Sequence, residues 1–175
     1  KPYRRGKVLP PFFIFLFLII SLEAVSQKIS KYYTTNSQSN GTLYFIEPDH
    51  EFENESYGAS LTWDLTYLST GDSIRMNFSF RGEEIMDLDC MVLVPSETIV
   101  CPNMEKLFVE DRKREWIHRY SAVFSFEELK NFYTLNKPKV MLYAGNLEIP
   151  LTIKERKWEK ASGIMNRIFA MIDAN

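Results

Sequence analysis

Ser60–Arg81, SLTWDLTYLSTGDSIRMNFSFR, is the stretch whose reading decides the fold. Leu61, Trp63, Leu65 and Tyr67 take alternate positions in its first arm, with Thr62, Asp64 and Thr66 between them. Ile74, Met76, Phe78 and Phe80 do the same in the second arm, separated by Arg75, Asn77 and Ser79. Alternation with period two is the pattern of a strand with one buried face. Folding the arms about Thr70-Gly71 sets Tyr67 opposite Ile74, Leu65 opposite Met76, Trp63 opposite Phe78 and Leu61 opposite Phe80. A slip of one residue sends one apolar set to solvent, so the pattern specifies the register together with the hairpin.

Downstream, Gly82–Leu88 is a polar connection, and Cys90–Val94 and Thr98–Cys101 read as two short strands. A turn at Pro95-Ser96 places Cys90 directly across from Cys101. Lys106–Glu110 and Trp116–Phe124 form a further hairpin around the charged tip Asp111–Glu115, with Trp116, His118, Tyr120, Ala122 and Phe124 on one face. Ser125 and Glu128 fit a capping box, and Phe124 and Leu129 fit the flanking hydrophobic staple, so a short helix starts there. Asn136-Lys137-Pro138 stops it. Val140–Ala144 and Leu147–Ile153 flank Gly145-Asn146, a two-residue loop suited to a primed hairpin turn. Pro150 lacks an N–H, which predicts that the last strand is an edge or is bulged. From Lys154 the period becomes helical: Trp158, Ala161, Met165, Ile168 and Ile172 make one apolar stripe that needs a sheet face to cover.

Upstream, Leu43–Ile46 suits a first strand, and Asp49–Ser56 reads as an acidic loop. Residues 27–41 are poor in aliphatics and rich in Ser, Thr, Asn and Gln, the composition of a flexible leader. Residues 1–26 order a basic stretch, the apolar run Phe12–Ile20 and Ala24-Val25-Ser26 as a secretory signal peptide does. The apolar run is about half the ~20 residues that span a bilayer, so no stable membrane span is expected after cleavage. Its Phe/Ile-rich character looks like a Gram-negative export signal and predicts a periplasmic or extracellular location. Residues 42–175 then form a single domain, mainly β or α+β. The expected architecture is an antiparallel meander of seven to nine strands forming a sandwich or small barrel. One short helix and a C-terminal amphipathic helix packed on the sheet complete it.

Charge and motifs exclude several function classes. Residues 27–175 carry 17 basic against 22 acidic residues, which gives no electrostatic footprint for nucleic acid. Cys90 and Cys101, the two cysteines of the chain, predict a disulfide in an exported protein. Glu47–Glu55 packs five carboxylates and His50 into nine residues, but without a turning Gly or an EF-hand spacing, so no metal is expected. His118, between Trp116 and Tyr120, reads as a satisfied, partly buried histidine. No zinc, P-loop, dinucleotide or nucleophile-elbow motif occurs, so no catalytic residue and no cofactor is assigned.

Aromatics are the one excess, at 20 of the residues after Ser26. The main account is core filling; the alternative is a ligand surface built on Trp63, Phe78 and Phe80. The primary expectation is an exported, non-enzymatic accessory or interaction protein with an unknown protein partner. The alternatives are a lipocalin-like carrier of a small apolar ligand, or a carbohydrate-binding or carbohydrate-active module. A lumen lined by Leu61, Trp63, Phe78 and Phe80 distinguishes the carrier; a filled core distinguishes the accessory protein.

Overall fold

The computed structural model describes residues 29–94 and 104–174. Residues 32–175 belong to one compact unit, and a separate unit ends at Lys31. The described elements are β1 (Tyr33–Gln38), β2 (Gly41–Ile46), β3 (Phe52–Asn54), β4 (Ala59–Leu68), β5 (Ser73–Gly82), β6 (Cys90–Val94), β7 (Glu105–Arg112), β8 (Glu115–Ser125), α1 (Phe126–Phe132), β9 (Lys139–Ala144), β10 (Leu147–Thr152) and α2 (Glu155–Asp173). The strands form one antiparallel sheet in the order β6-β9-β10-β3-β4-β5-β8-β7, with β2 also on β4 and β1 on β2. It curls into a half-barrel, against which the C-terminal helix packs.

β4 is the hub. One edge pairs with β5 in the register set by alternation: Leu61 with Phe80, Trp63 with Phe78, Leu65 with Met76 and Tyr67 with Ile74. All eight of these side chains are buried. Gly71 N–H donates to the Leu68 carbonyl at 2.8 Å and closes the turn. The other edge of β4 is shared, β3 taking Ala59–Leu61 and β2 taking Leu65–Leu68. β10 reaches β3 through Thr152 and Glu53, so the last hairpin joins the first strands. That hairpin keeps the expected pairs, Val140 with Leu151, Leu142 with Ile149 and Ala144 with Leu147, about Gly145 at φ 57°.

Four expectations change. Residues 33–38, within the stretch expected to be a flexible leader, form β1 and pair with β2 from Tyr33–Ile46 to Gln38–Gly41. The strand is almost wholly exposed, so backbone ladder bonds rather than apolar burial hold it. The acidic stretch after Pro48 is no open loop: Phe52 is fully buried and anchors β3 there. β10 is internal in the strand order, yet it meets β3 only at Thr152, and the Pro150 carbonyl takes the Asn54 amide at 2.6 Å instead of a strand. The missing N–H thus faces a gap in the ladder. The tip between β7 and β8 shrinks to Lys113 and Arg114, which both adopt positive φ, 58° and 144°.

Helix starts follow the capping chemistry. Ser125 Oγ accepts from Glu128 N–H and Glu128 Oε2 accepts from Ser125 N–H, both at 3.1 Å. In α2, Trp158, Ala161, Met165, Ile168 and Ile172 are buried as the stripe predicts, together with Phe169. Trp158 packs on Phe52, Phe132 and Tyr133, and Phe169 on Phe126 and Tyr133. α1 and α2 therefore make one cover over the concave face. Lys157 to Glu53, Lys160 to Asp49 and Lys130 to Asp173 pin its rim. Exposed pairs of this kind add ~0–1 kcal/mol each, so burial carries the attachment.

Removing residues 158–175 should unfold the whole domain. Several large buried side chains at ~2–5 kcal/mol each rival a total stability of ~5–15 kcal/mol. Thermal melting of truncated and intact protein checks this, and an unchanged midpoint contradicts it. Met165→Ala alone should cost ~2–5 kcal/mol by urea titration.

Candidate functional site

Polar chemistry converges on His50, in the connection from β2 to β3. His50 N–H donates to the Pro48 carbonyl at 2.9 Å, a tight turn that brings the ring back over the chain. Its Nδ1 lies 3.2 Å from the same carbonyl, and its Nε2 lies 3.4 Å from the Tyr133 hydroxyl. Trp63 Nε1–H donates to that hydroxyl at 3.0 Å. A carbonyl only accepts, so Nδ1 carries the proton and Nε2 accepts from Tyr133. One tautomer thus satisfies every polar atom of the relay Trp63–Tyr133–His50–Pro48.

The surroundings are aromatic. The His50 ring meets Trp63 edge-on at 4.4 Å, Trp63 stacks on Phe52 at 5.1 Å, and Tyr133 stacks on Trp158 at 5.2 Å. Trp158 Nε1–H donates to the Leu135 carbonyl at 2.6 Å. Burial lowers the His50 pKa from 6.5 to about 4, against the smaller opposing pulls of the Pro48 carbonyl and Asp49. Burial also pushes the Tyr133 hydroxyl far above the ordinary phenol range, partly offset by the Trp63 hydrogen bond. Near neutral pH the relay is uncharged and each of its protons has an acceptor. Such a group positions chain segments, because moving any member would leave a buried donor or acceptor unpaired.

Beside the relay opens a cleft of about 460 Å³ whose walls include Asp49, His50, Glu51, Arg81, Lys157 and Lys160. Its charges are mixed. Lys160 holds Asp49 and Lys157 holds Glu53, both at 3.0 Å. The hydrogen bond and charge of Asp49 raise the Lys160 pKa, and those of Glu53 raise that of Lys157. A second cleft, about 590 Å³, lies where Asn54, Pro150, Lys139 and Lys154 meet.

Trp63, Phe78 and Phe80, named as a possible ligand surface, lie in the core, at 4%, 0% and 0% exposure. Neither cleft is lined by any of the three. Phe78 stacks on Tyr120 at 5.5 Å and Phe80 lies against His118 at 5.7 Å. His118 is more deeply buried than its strand position implies, with no exposed surface. Its Nε2 accepts from Met86 N–H at 2.9 Å, while its Nδ1 has no hydrogen-bond partner. Tyr120 hydroxyl accepts from Leu88 N–H at 3.0 Å, so the two side chains of β8 hold the connection after β5. Burial lowers the His118 pKa, opposed by the Phe80 backbone.

On the outer face Asp64 belongs to a polar network. It pairs with Arg119 and accepts from Asn77 Nδ2 at 2.9 Å, while Arg119 also donates to Ser79 at 2.9 Å. Cys90 is buried opposite Tyr143 of β9, and it is not a free thiol. Cys101 lies outside the described residues, as do the expected strand Thr98–Cys101, the turn at Pro95-Ser96 and the leader 1–26. Among the described residues no group of three or more His, Cys, Asp or Glu side chains is placed to hold a metal ion. Nor is any helix among them long and apolar enough to cross a membrane.

Sequence reasoning missed the relay because its members come from three separate parts of the fold, the β2–β3 connection, β4 and the C-terminal cap of α1. The local signal available was Pro48-Asp49-His50 followed at once by Phe52, a turn that returns a histidine to an aromatic anchor. Compared with protein-family models, curated proteins and solved structures, the chain matches none of them.

His50 gives the domain a defined pH response. Its folded pKa is depressed, so the unfolded chain binds the proton first; stability is full above pH 6.5 and falls as pH drops toward 4. The loss attributable to His50 is about 3 kcal/mol. Urea titrations at pH 7 and 4 on wild type and His50→Gln should show a smaller acid loss in the variant by about that amount. Equal acid losses contradict the neutral, buried relay.

Proposed function

We propose that the chain is an exported, non-enzymatic accessory or interaction protein acting in the periplasm or outside the cell. The observation that carries this reading is the occupied concave face of the sheet. Of the three residues a carrier would present to a lumen, Trp63 is buried against Phe52, His50 and Phe132, Phe78 against Tyr120, and Phe80 against His118. The chemistry-bearing side chains nearest to them serve positioning: His50 is neutral and fully hydrogen-bonded, and His118 holds the connection after β5. Export rests on the order of basic, apolar and small residues in positions 1–26. A Cys90–Cys101 bridge belongs to the same reading, because oxidising compartments favour it. It would tie β6 to the segment before β7 and contribute ~2–3 kcal/mol.

Cell fractionation with intact-mass analysis tests the proposal. The protein should leave the cytoplasm with residues 1–26 removed, and non-reducing peptide mapping should recover Cys90 linked to Cys101. A cytoplasmic protein that keeps Phe12–Ile20, with reduced cysteines, overturns it.

A further inference from the structure

β7 ends the sheet. Among the described residues it pairs with β8 alone, and seven of its eight residues are exposed, including Leu107 at 46% and Phe108 at 49%. A free strand of this length is a ready template for another strand unless something specifies its partner. We propose that this partner is β7 of a second copy of the chain, joined antiparallel about a two-fold axis to give one sheet continuous across a dimer.

The charges carry the inference. Pairing with β8 sets the faces of β7: Lys106 stands opposite Tyr120, Val109 opposite His118 and Asp111 opposite Trp116 on the core side. Glu105, Phe108, Glu110 and Arg112 stand opposite Ser121, Arg119, Ile117 and Glu115 on the outer side. Leu107 is the extra residue at the irregularity between Lys106 and Phe108. Residues paired across a two-fold axis normal to the sheet must share a face. Centring the axis on Val109 and passing over Leu107 satisfies that condition along the whole strand. Lys106 then meets Asp111 of the second copy, and Glu105 meets Arg112 of the second copy, each twice by symmetry. Phe108 lies across from Glu110 of the second copy, and Val109 from its own counterpart.

Neighbouring registers lack this match. Centring on Phe108 sets Glu105 against Glu110 of the second copy, and centring on Glu110 sets that carboxylate against itself. Directly opposed like charges oppose pairing, so the pattern that guards the edge against other strands also selects one register. In the single chain Lys106 pairs with Asp87 and Arg112 with Glu110. All four groups are substantially exposed and free to turn toward a new partner. The dimer is independent of export and goes beyond the reading above.

Sedimentation equilibrium of the full-length purified protein at low salt tests it. The wild type should be a dimer. Lys106→Asp and Asp111→Lys should each weaken association about tenfold or more, by opposing like charges. The double variant K106D/D111K should restore it. Both Lys106 variants lose the contact with Asp87, so rescue reports the contact between copies. Val109→Cys places identical thiols across the axis and should cross-link under oxidation without disturbing the charges. A monomeric wild type overturns the proposal. So does a dimer indifferent to both single reversals, or one that Val109→Cys fails to cross-link.

Discussion

The burial of the β4–β5 face is the constraint on which the rest of the structure depends. Eight alternate side chains, from Leu61 to Phe80, face one way and must all be removed from water. β8 extends that face with Tyr120, Ala122 and Phe124, and β2 and β3 extend it from the other edge with Tyr44, Ile46 and Phe52. The curled sheet is a half-barrel whose strand path runs from β6 to β7. α1 and α2 complete the enclosure. The C-terminal stripe of tryptophan, methionine and isoleucine is thus the counterpart of the hairpin alternation, written almost a hundred residues away.

Local periodicity made much of this visible in the sequence. The β4–β5 and β9–β10 registers follow from two apolar sets that must share a face, and the observed pairs agree residue by residue. The Ser125 cap and the α2 stripe follow from side-chain chemistry that acts within one or two turns. What escaped is non-local. β1 carries no apolar signal after Tyr33, because its strand state is imposed by the backbone of β2. The joining of β10 to β3, and of β6 to β9, depends on which edges remain free after the hairpins form. No window of sequence encodes that choice.

The candidate site shows the same division. His50 was legible as a lone histidine in an acidic run, yet its acceptor, its hydrogen-bond donor and its aromatic walls come from Pro48, Tyr133, Trp63 and Trp158. Fully satisfied polar groups in a low-dielectric core fix one arrangement, because every alternative leaves a donor or acceptor unpaired. The relay joins the β2–β3 connection to β4 and to the residue that caps α1. Tyr133 also ties this point to α2, through its stack on Trp158 and its carbonyl, which accepts from Asn166 at 3.3 Å. The buried histidine is therefore a registration point between sheet and cover. His118 of β8 serves a different segment, holding the connection after β5 through Met86 N–H.

A sheet whose apolar face is completed by its own helices leaves its outer surface and its edges for contact with other molecules. Burial of one shared apolar face should make α2 and the central strands a single cooperative unit. Native-state hydrogen exchange reads this directly, since amides that share an unfolding event share its free energy. Amides of β4 and β5 around Trp63 and Phe78 should exchange with the same free energy as those of α2 around Met165. They should also share one denaturant dependence. An α2 that exchanges through a separate opening of much lower free energy, while the strands stay protected, would contradict the account.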